Sequence, residues 1–273
     1  MSTLYLVATP IGNLEDISQR ALEILRQVDR IAAEDTRHTG KLLKHHDIQT
    51  SLISFHEHSK QSKLVRLMDL LDQGDLALVS DAGTPVVSDP GFELVQKALA
   101  AGHQVSPIPG PSAPISALIA SGLPAEKFLF LGYLPRKSSD RRRALSEVSS
   151  LPYTLIFFET PHRLQVALKD LLEELGEREM AVAREITKLH EEFYRGPISA
   201  ALAHFTTTLP RGEITLIVAG YTEEKPSWSE AQVLSAIKDR KSQGIPPAQI
   251  ASQMALESNW PRRKIYQLII EMD

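Results

Sequence analysis

Short apolar runs alternate with stretches of helical period along the first half of the chain. Residues 4–8 form an apolar run of strand length. From 15 to 28, apolar residues recur at Ile17, Ala21, Leu22, Ile24, Leu25 and Val28, one face of a helix with Asn13 as its candidate N-cap. Leu64, Leu67, Met68 and Leu71 mark a further helix with Gly74 just past its end, and residues 76–80 a buried strand. Residues 90–101 read as a helix with Asp89 as cap and Pro90 in the first turn. A strand over 105–108 and a helix over 112–121, closed by Gly122, complete the series. Strand and helix in alternation predict a parallel sheet covered by helices.

The second half has a different rhythm. Strand-like runs fall at 128–131, 155–158, 180–183, 191–194 and 213–219. One clear helix is opened by Thr160-Pro161 and carries Leu164, Ala167, Leu168, Leu171, Leu172 and Leu175 on its apolar face. Strand runs in succession predict a mixed sheet. Beyond it, residues 228–242, 247–257 and 261–272 read as three short helices. The expected organisation is an α/β domain over 1–123, a second α/β domain over 124–223 and a helical region over 226–273.

Composition narrows the chemistry. The chain of 273 residues is 42% apolar and 23% charged, ordinary globular values. Cysteine is absent, which excludes disulfides, iron–sulfur clusters, thiolate zinc and a cysteine nucleophile. Thirty Lys and Arg against 34 Asp and Glu leave a net charge of −4, so contact with nucleic acid requires a local basic patch. No signal-peptide pattern or membrane-length apolar run is present, and a soluble cytoplasmic protein is expected. His45-His46 and the pair His56 and His58 lack a third ligand at diagnostic spacing, so no metal is expected.

Four loops after strands are rich in glycine, proline and small residues: 9–13 (TPIGN), 80–91 (SDAGTPVVSDPG), 109–113 (PGPSA) and 159–163 (ETPHR). Such loops allow close approach of backbone to a ligand, and in parallel sheets ligands bind beyond the carboxyl ends of the strands. Neither a dinucleotide glycine fingerprint nor a P-loop is present. Small residues around a single acid, Asp81, suit a cationic or zwitterionic ligand.

TPIGNLEDIS (9–18), AEDTRHT (33–39), SDAGTPVVSDPG (80–91), PIPGPSA (107–113) and FETPHR (158–163) together resemble the ribosomal RNA small subunit methyltransferase I family, a branch of the tetrapyrrole-methylase-like superfamily. The resemblance spans residues 4–220. It implies two α/β domains of the tetrapyrrole-methylase type, S-adenosylmethionine in the cleft between them, and a homodimer. The implied reaction moves a methyl group to the 2′-oxygen of a cytidine ribose in small-subunit (16S) ribosomal RNA, naked or in the assembled subunit. By the same resemblance Pro10, Asp81, Gly83, Thr84, Ser112 and Ala113 line the cofactor, Phe158 packs on it, and Thr215 and Leu216 close the adenine side. Phe158 reads equally as a core aromatic.

A ribose hydroxyl is a weak nucleophile and gains from a nearby base. Glu34, Asp35, Glu159 and Glu185 are the candidates, with Asp81 and His162 also within the motifs. Glu34 to Arg37 read either as a helix cap with a surface ion pair or as a substrate-facing group. Glu159 and Arg163 read either as a stabilising ion pair or as part of the site. For RNA, Arg136, Lys137, Arg141, Arg142 and Arg143 form the densest positive run, net +4 over residues 136–143. Its readings are a solvated helix face or a phosphate contact, and an RNA substrate favours the second. Arg262-Arg263-Lys264 is a second, weaker run. Two other readings stand beside this one: a methyltransferase of the same superfamily with a tetrapyrrole or other non-RNA acceptor, and a non-catalytic RNA-binding protein.

Overall fold

Continuous apolar strand runs with helices between them demand burial on both faces, and the first sheet provides it. The computed structural model describes residues 2–55, 61–208, 210–222 and 228–272; His56, His58 and residues 223–226 lie outside these. Strands β1 (Thr3–Val7), β2 (Arg30–Ala33), β3 (Leu52–Ser54), β4 (Leu76–Val79) and β5 (Gln104–Ile108) are all parallel, in the order β3-β2-β4-β1-β5. Helices α1 (Gln19–Gln27) and α2 (Thr36–His45) cover one face, where Leu25 and Leu42 meet Val7, Ile31 and Val79. Helices α3 (Gln61–Gln73) and α4 (Phe92–Ala100) cover the other, where Leu67 and Leu94 meet Leu4 and Leu78. The chain thus leaves the neighbouring strands β1 and β4 toward opposite faces. That opens a crevice at their carboxyl ends.

Two helix starts differ from the sequence pattern. Asn13 caps only a single 3-10 turn, Leu14–Asp16; Ile17 is extended, and Ser18 caps α1 by accepting from the Ala21 amide at 3.1 Å. Helix α4 begins at Phe92 rather than at residue 90, because Gly91 at φ +135° cannot be helical. A Cβ on Gly91 would lie 2.5 Å from Leu78 Cδ2, so this corner of the loop requires glycine.

The second sheet is mixed, in the order β6-β7-β10-β8-β9. Strands β6 (Phe128–Tyr133) and β7 (Thr154–Glu159) run parallel, whereas β8 (Glu179–Arg184), β9 (Glu192–Pro197) and β10 (Ile214–Val218) join by antiparallel pairing. Strands β8 and β9 follow one another directly, as the sequence pattern predicts, but α6 (Ser138–Val148) lies between β6 and β7, and α8 (Ile198–Thr207) between β9 and β10. These two and α7 (Leu164–Leu175) cover one face over Leu155, Phe157 and Leu216. The other face is covered by α5 (Ala113–Ser121), whose Ala117 and Leu118 meet Ile156, Ala181 and Ile217. Helix α5 follows the last strand of the first sheet yet packs on the second. Both sheets lie in one unit, Met1–Tyr221.

Residues from Thr222 onward form a second unit. Its helices α9 (Glu230–Ser242), α10 (Pro247–Ser258) and α11 (Arg262–Glu271) enclose Val233, Ile237, Ile250, Met254, Ile265 and Ile269. A Ser229–Gln232 capping box starts α9, and Asn259 at φ +58° ends α10.

The basic run of α6 divides on folding. Arg136, Lys137, Arg142 and Arg143 are exposed, but Arg141 is buried. Its guanidinium Nε donates to Asp170 at 2.6 Å, and Nη1 donates to the Pro135 and Arg136 carbonyls at 3.2 Å each. Beside it, Arg163 donates to the Leu134 carbonyl at 2.5 Å and pairs with buried Glu159 at 3.0 Å. Arg141 is therefore not a phosphate contact, contrary to expectation: with Arg163 it clamps the strap that leads from β6 into α6. Removing it strands the Asp170 carboxylate in the interior. Arg141→Ala should lower the free energy of unfolding by about 3–5 kcal/mol, measured by denaturant titration, whereas Arg143→Ala should change it by less than about 0.5 kcal/mol.

Candidate active site

At the carboxyl edge of the first sheet the loops bond to one another. The Thr9 amide donates to the Gly83 carbonyl and the Gly83 amide to Thr9, each at 2.9 Å, with Gly83 at φ +82°. Thr9 Oγ1 donates to the Ser80 carbonyl, and Thr84 Oγ1 to the Pro111 carbonyl, both at 3.2 Å. The Asp35 amide donates to Asp81 Oδ1 at 2.9 Å, and the Asp81 amide lies 3.5 Å from Glu34 Oε2. Across from this floor stands the second sheet. Phe158 of β7 and Thr215 of β10 are register partners on the same sheet face that α5 covers further along, and both line the larger cavity described below. Phe130 and Tyr133 lie 5.0 and 5.4 Å from the Phe158 ring.

Two cavities open here. The larger, about 260 Å³, is lined by Glu34, Asp81, Gly83, Thr84, Asp89, Ser112, Ala113, Tyr133, Phe158, Glu213 and Thr215, among others. Among the described residues its lining includes four carboxylates and no Lys or Arg. It also contains the start of α5, where Ser112 makes no side-chain cap and, Pro114 having no N–H, the Ala113 and Ile115 amides are the first-turn donors without a partner inside the helix. The smaller, about 230 Å³, is lined by Thr9, Pro10, Gly12, His38, Lys41 and Lys188 among others, a more basic set. Ile11, Asp81, Ala82 and Glu213 belong to both walls. The two together lie in the range of roughly 300–1,000 Å³ typical of small-molecule sites.

The sequence-derived candidates separate by position. Asp81, Gly83, Thr84, Ser112, Ala113, Phe158, Thr215 and Glu34 line the larger cavity, and Pro10 lines the smaller. Leu216, next along β10, points to the opposite face and lies in the helical core. Asp35 lines neither: it caps α2 and pairs with Arg37 at 2.7 Å, and that hydrogen bonding holds its carboxyl below the ordinary carboxylate range. Glu159 alternates with Phe158 and so faces the helical side. Burial raises its carboxyl above the ordinary value, against the Thr160 amide and Arg163. His162 also lines neither cavity; its Nε2 lies 3.4 Å from Thr160 Oγ1. Of the exposed cations, Arg142 is held by Glu173 and Glu174 at 3.0 and 2.6 Å, and Arg143 lies 3.4 Å from Asp140.

Glu185, at φ +51°, stands behind the cleft. Its Oε1 accepts from the Glu213 amide and from Lys188 Nζ, both at 3.0 Å, and Lys188 reaches Glu213 Oε2 at 3.2 Å. Burial alone would raise the Glu185 carboxyl, but the Glu213 amide and Lys188 outweigh it and hold it below its ordinary value. Burial would lower Lys188, but the two carboxylates outweigh it and hold it above. Glu213, Lys188 and Tyr133 are absent from the sequence-derived set. Glu213 sits at the head of the predicted strand 213–219, at the same sheet end as Phe158, and that position was the available signal. Burial, then Glu213, Asp89 and Glu159, push the Tyr133 phenol up, so it stays protonated.

Residues 3–202 match the tetrapyrrole (corrin/porphyrin) methylases. The ribosomal RNA small subunit methyltransferase I of Synechocystis sp. is 48% identical, with 100% of this chain and 99% of that protein covered. The Bacillus subtilis protein of the same name is 42% identical over 97% and 93%. That of Thermotoga maritima is 48% identical, with 99% of its own length but 81% of this chain covered. Among solved structures, a diphthine synthase shares the fold with a TM-score of 0.64 at 15% identity, covering 81% of this chain and 91% of that one. A uroporphyrin-III-C-methyltransferase from Thermus thermophilus does so with a TM-score of 0.56 at 21% identity, covering 80% and 94%. The chain belongs to the tetrapyrrole methylase family and, within it, to the group of proteins named ribosomal RNA small subunit methyltransferase I.

Proposed function

We propose that this protein transfers a methyl group from S-adenosylmethionine to the ribose 2′-oxygen of a cytidine in small-subunit ribosomal RNA, as a cytoplasmic homodimer. One observation carries the reading: a cavity lined by carboxylates without Lys or Arg shares a wall with a cavity that holds Lys41, Lys188 and His38. A sulfonium cation suits the first and a phosphate-bearing acceptor the second. The sugar and base named here rest on the family resemblance, as does the dimer.

The residues present fit the cofactor. Asp81 and Glu34 supply negative charge for a sulfonium and an ammonium group. The first amides of α5 suit a carboxylate. Phe158 and Tyr133 offer apolar surface for an adenine, with Thr215 as a polar partner. When bound, S-adenosylmethionine supplies an electrophilic methyl carbon on a positively charged sulfur. The protein's part is alignment: the two stitched walls meet at a shared edge where a donor and an acceptor would lie side by side, and in-line displacement requires that they be brought to about 3–3.5 Å. Arg136 and Lys137, carried on the clamped strap beyond Tyr133, are exposed for phosphate contact.

Titration calorimetry should show S-adenosylmethionine binding, and undermethylated small subunits should accept label at a cytidine 2′-oxygen while porphyrin precursors do not. Label in the porphyrin alone would replace this reading with that of a tetrapyrrole methylase. Asp81→Asn should weaken cofactor binding roughly tenfold, about 1.4 kcal/mol, by calorimetry. Joint Arg136→Gln and Lys137→Gln replacement should weaken RNA binding and make the slope of log affinity against log salt shallower by about 1–2; an unchanged slope removes these two from the interface.

A further inference from the structure

Methyl transfer to a hydroxyl leaves a proton to be placed, and the proton acceptor must stand where donor and acceptor meet. Two carboxylates belong to the walls of both cavities, Asp81 and Glu213. Asp81 spends Oδ1 on the Asp35 amide, a bond that holds two loops together. Glu34 lines only the larger cavity, Glu159 faces the helices, and Glu185 lines neither. Glu213 differs from all of these. Its side chain is 71% exposed to the cleft and solvent, Oε2 lies on Lys188, and no bond to Oε1 is made among the described residues.

We propose that Glu213 receives the proton of the acceptor hydroxyl at the wall common to the two cavities, and that Lys188 and Glu185 hold it there. The assignment rests on the methyltransferase reading above. The hydroxyl proton passes to the Glu213 carboxylate. The electron pair of that O–H bond forms the new bond from oxygen to the methyl carbon, and the pair of the breaking carbon–sulfur bond stays on sulfur. Charge balance favours this arrangement. Lys188 bridges two carboxylates, so when Glu213 takes up the proton the ammonium keeps Glu185 as its partner at 3.0 Å. The groups facing Glu213 are Lys188 and Glu185 from the β8–β9 connection, Asp81 from the β4 loop, and the Tyr133 phenol from β6.

The backbone is set for this. The Glu213 amide is bound to Glu185, and Gly212 at φ +84° leaves room for that carboxylate: a Cβ on Gly212 would clash with Glu185 Oε1. Across the cleft Gly12 serves the same corner, since a Cβ there would lie 2.5 Å from Lys188 Cγ, and the Asn13 amide donates to Thr187 Oγ1 at 3.0 Å. The first-strand loop thereby fixes the segment that carries Lys188. Glu213 is a proton acceptor by this assignment, and Glu185 and Lys188 are positioning residues.

The test is Glu213→Gln in the full chain, assayed on undermethylated small subunits at saturating S-adenosylmethionine. Turnover should fall about 10²–10⁴-fold, while calorimetric affinity for S-adenosylmethionine stays within about twofold. The residual rate should climb with pH where the wild type has levelled off, and Glu213→Asp should recover part of the loss. Turnover within about threefold of wild type, or cofactor affinity falling in step with turnover, overturns the assignment. Glu185→Gln should lower kcat more than KM and leave cofactor affinity intact; no change in kcat removes the positioning role. A wild-type protein that fails to methylate small subunits takes the functional reading and this assignment down together. A normal Glu213→Gln beside an active wild type removes Glu213 alone.

Discussion

The site depends on backbone groups that would otherwise be left unpaired at the end of a parallel sheet. Strands that stop together expose amides and carbonyls, and burying those without partners costs several kcal/mol in sum. Here the loops satisfy each other: Thr9 and Gly83 exchange two hydrogen bonds, Thr84 reaches the Pro111 carbonyl, and the carboxylates of Glu34 and Asp81 take amides from neighbouring loops. The floor of the cleft is therefore built before any ligand arrives. Only a residue free of a side chain allows the φ of +82° at Gly83 without strain, which is why a short glycine-bearing loop occupies this point.

Strand alternation then decides which acids can do chemistry. Phe158 and Glu159 are neighbours in β7, but one faces the cleft and the other the helices. The single-residue offset turns Glu159 from a candidate base into the buried partner of Arg163. The same logic divides Thr215 from Leu216. Carboxylates on the cleft face give the larger cavity its sign, and cations reach only the smaller one. The acidic and the basic lining are thereby kept to opposite sides of one wall.

Most of the scaffold was legible in the sequence because its signals are local. The alternation of apolar runs with helical stripes gave the parallel sheet, and the glycine-proline loops gave the edge where the cavities lie. The three-residue β3 and the Ala-rich α8 have no strong stripe of their own and take their place from tertiary contacts. Long-range pairing was not legible at all. Nothing near Arg141 in the chain announces Asp170, so a run of like charges concealed one member bound inward. Glu213 and Lys188 lie 25 residues apart and fall outside every glycine-proline loop, so their meeting at the common wall appears only in three dimensions.

The allegiance of α5 sets where the molecule could flex. Because this helix is seated under the second sheet, the joint between the halves precedes it, at Pro109-Gly110-Pro111, instead of following it near Gly122. A swing about that joint carries Ser112 and Ala113 in one jaw with Phe158 and Thr215, and leaves Gly83 and Thr84 in the other. The Thr84–Pro111 hydrogen bond ties the first jaw to the pivot itself, so a swing has to break or carry that bond.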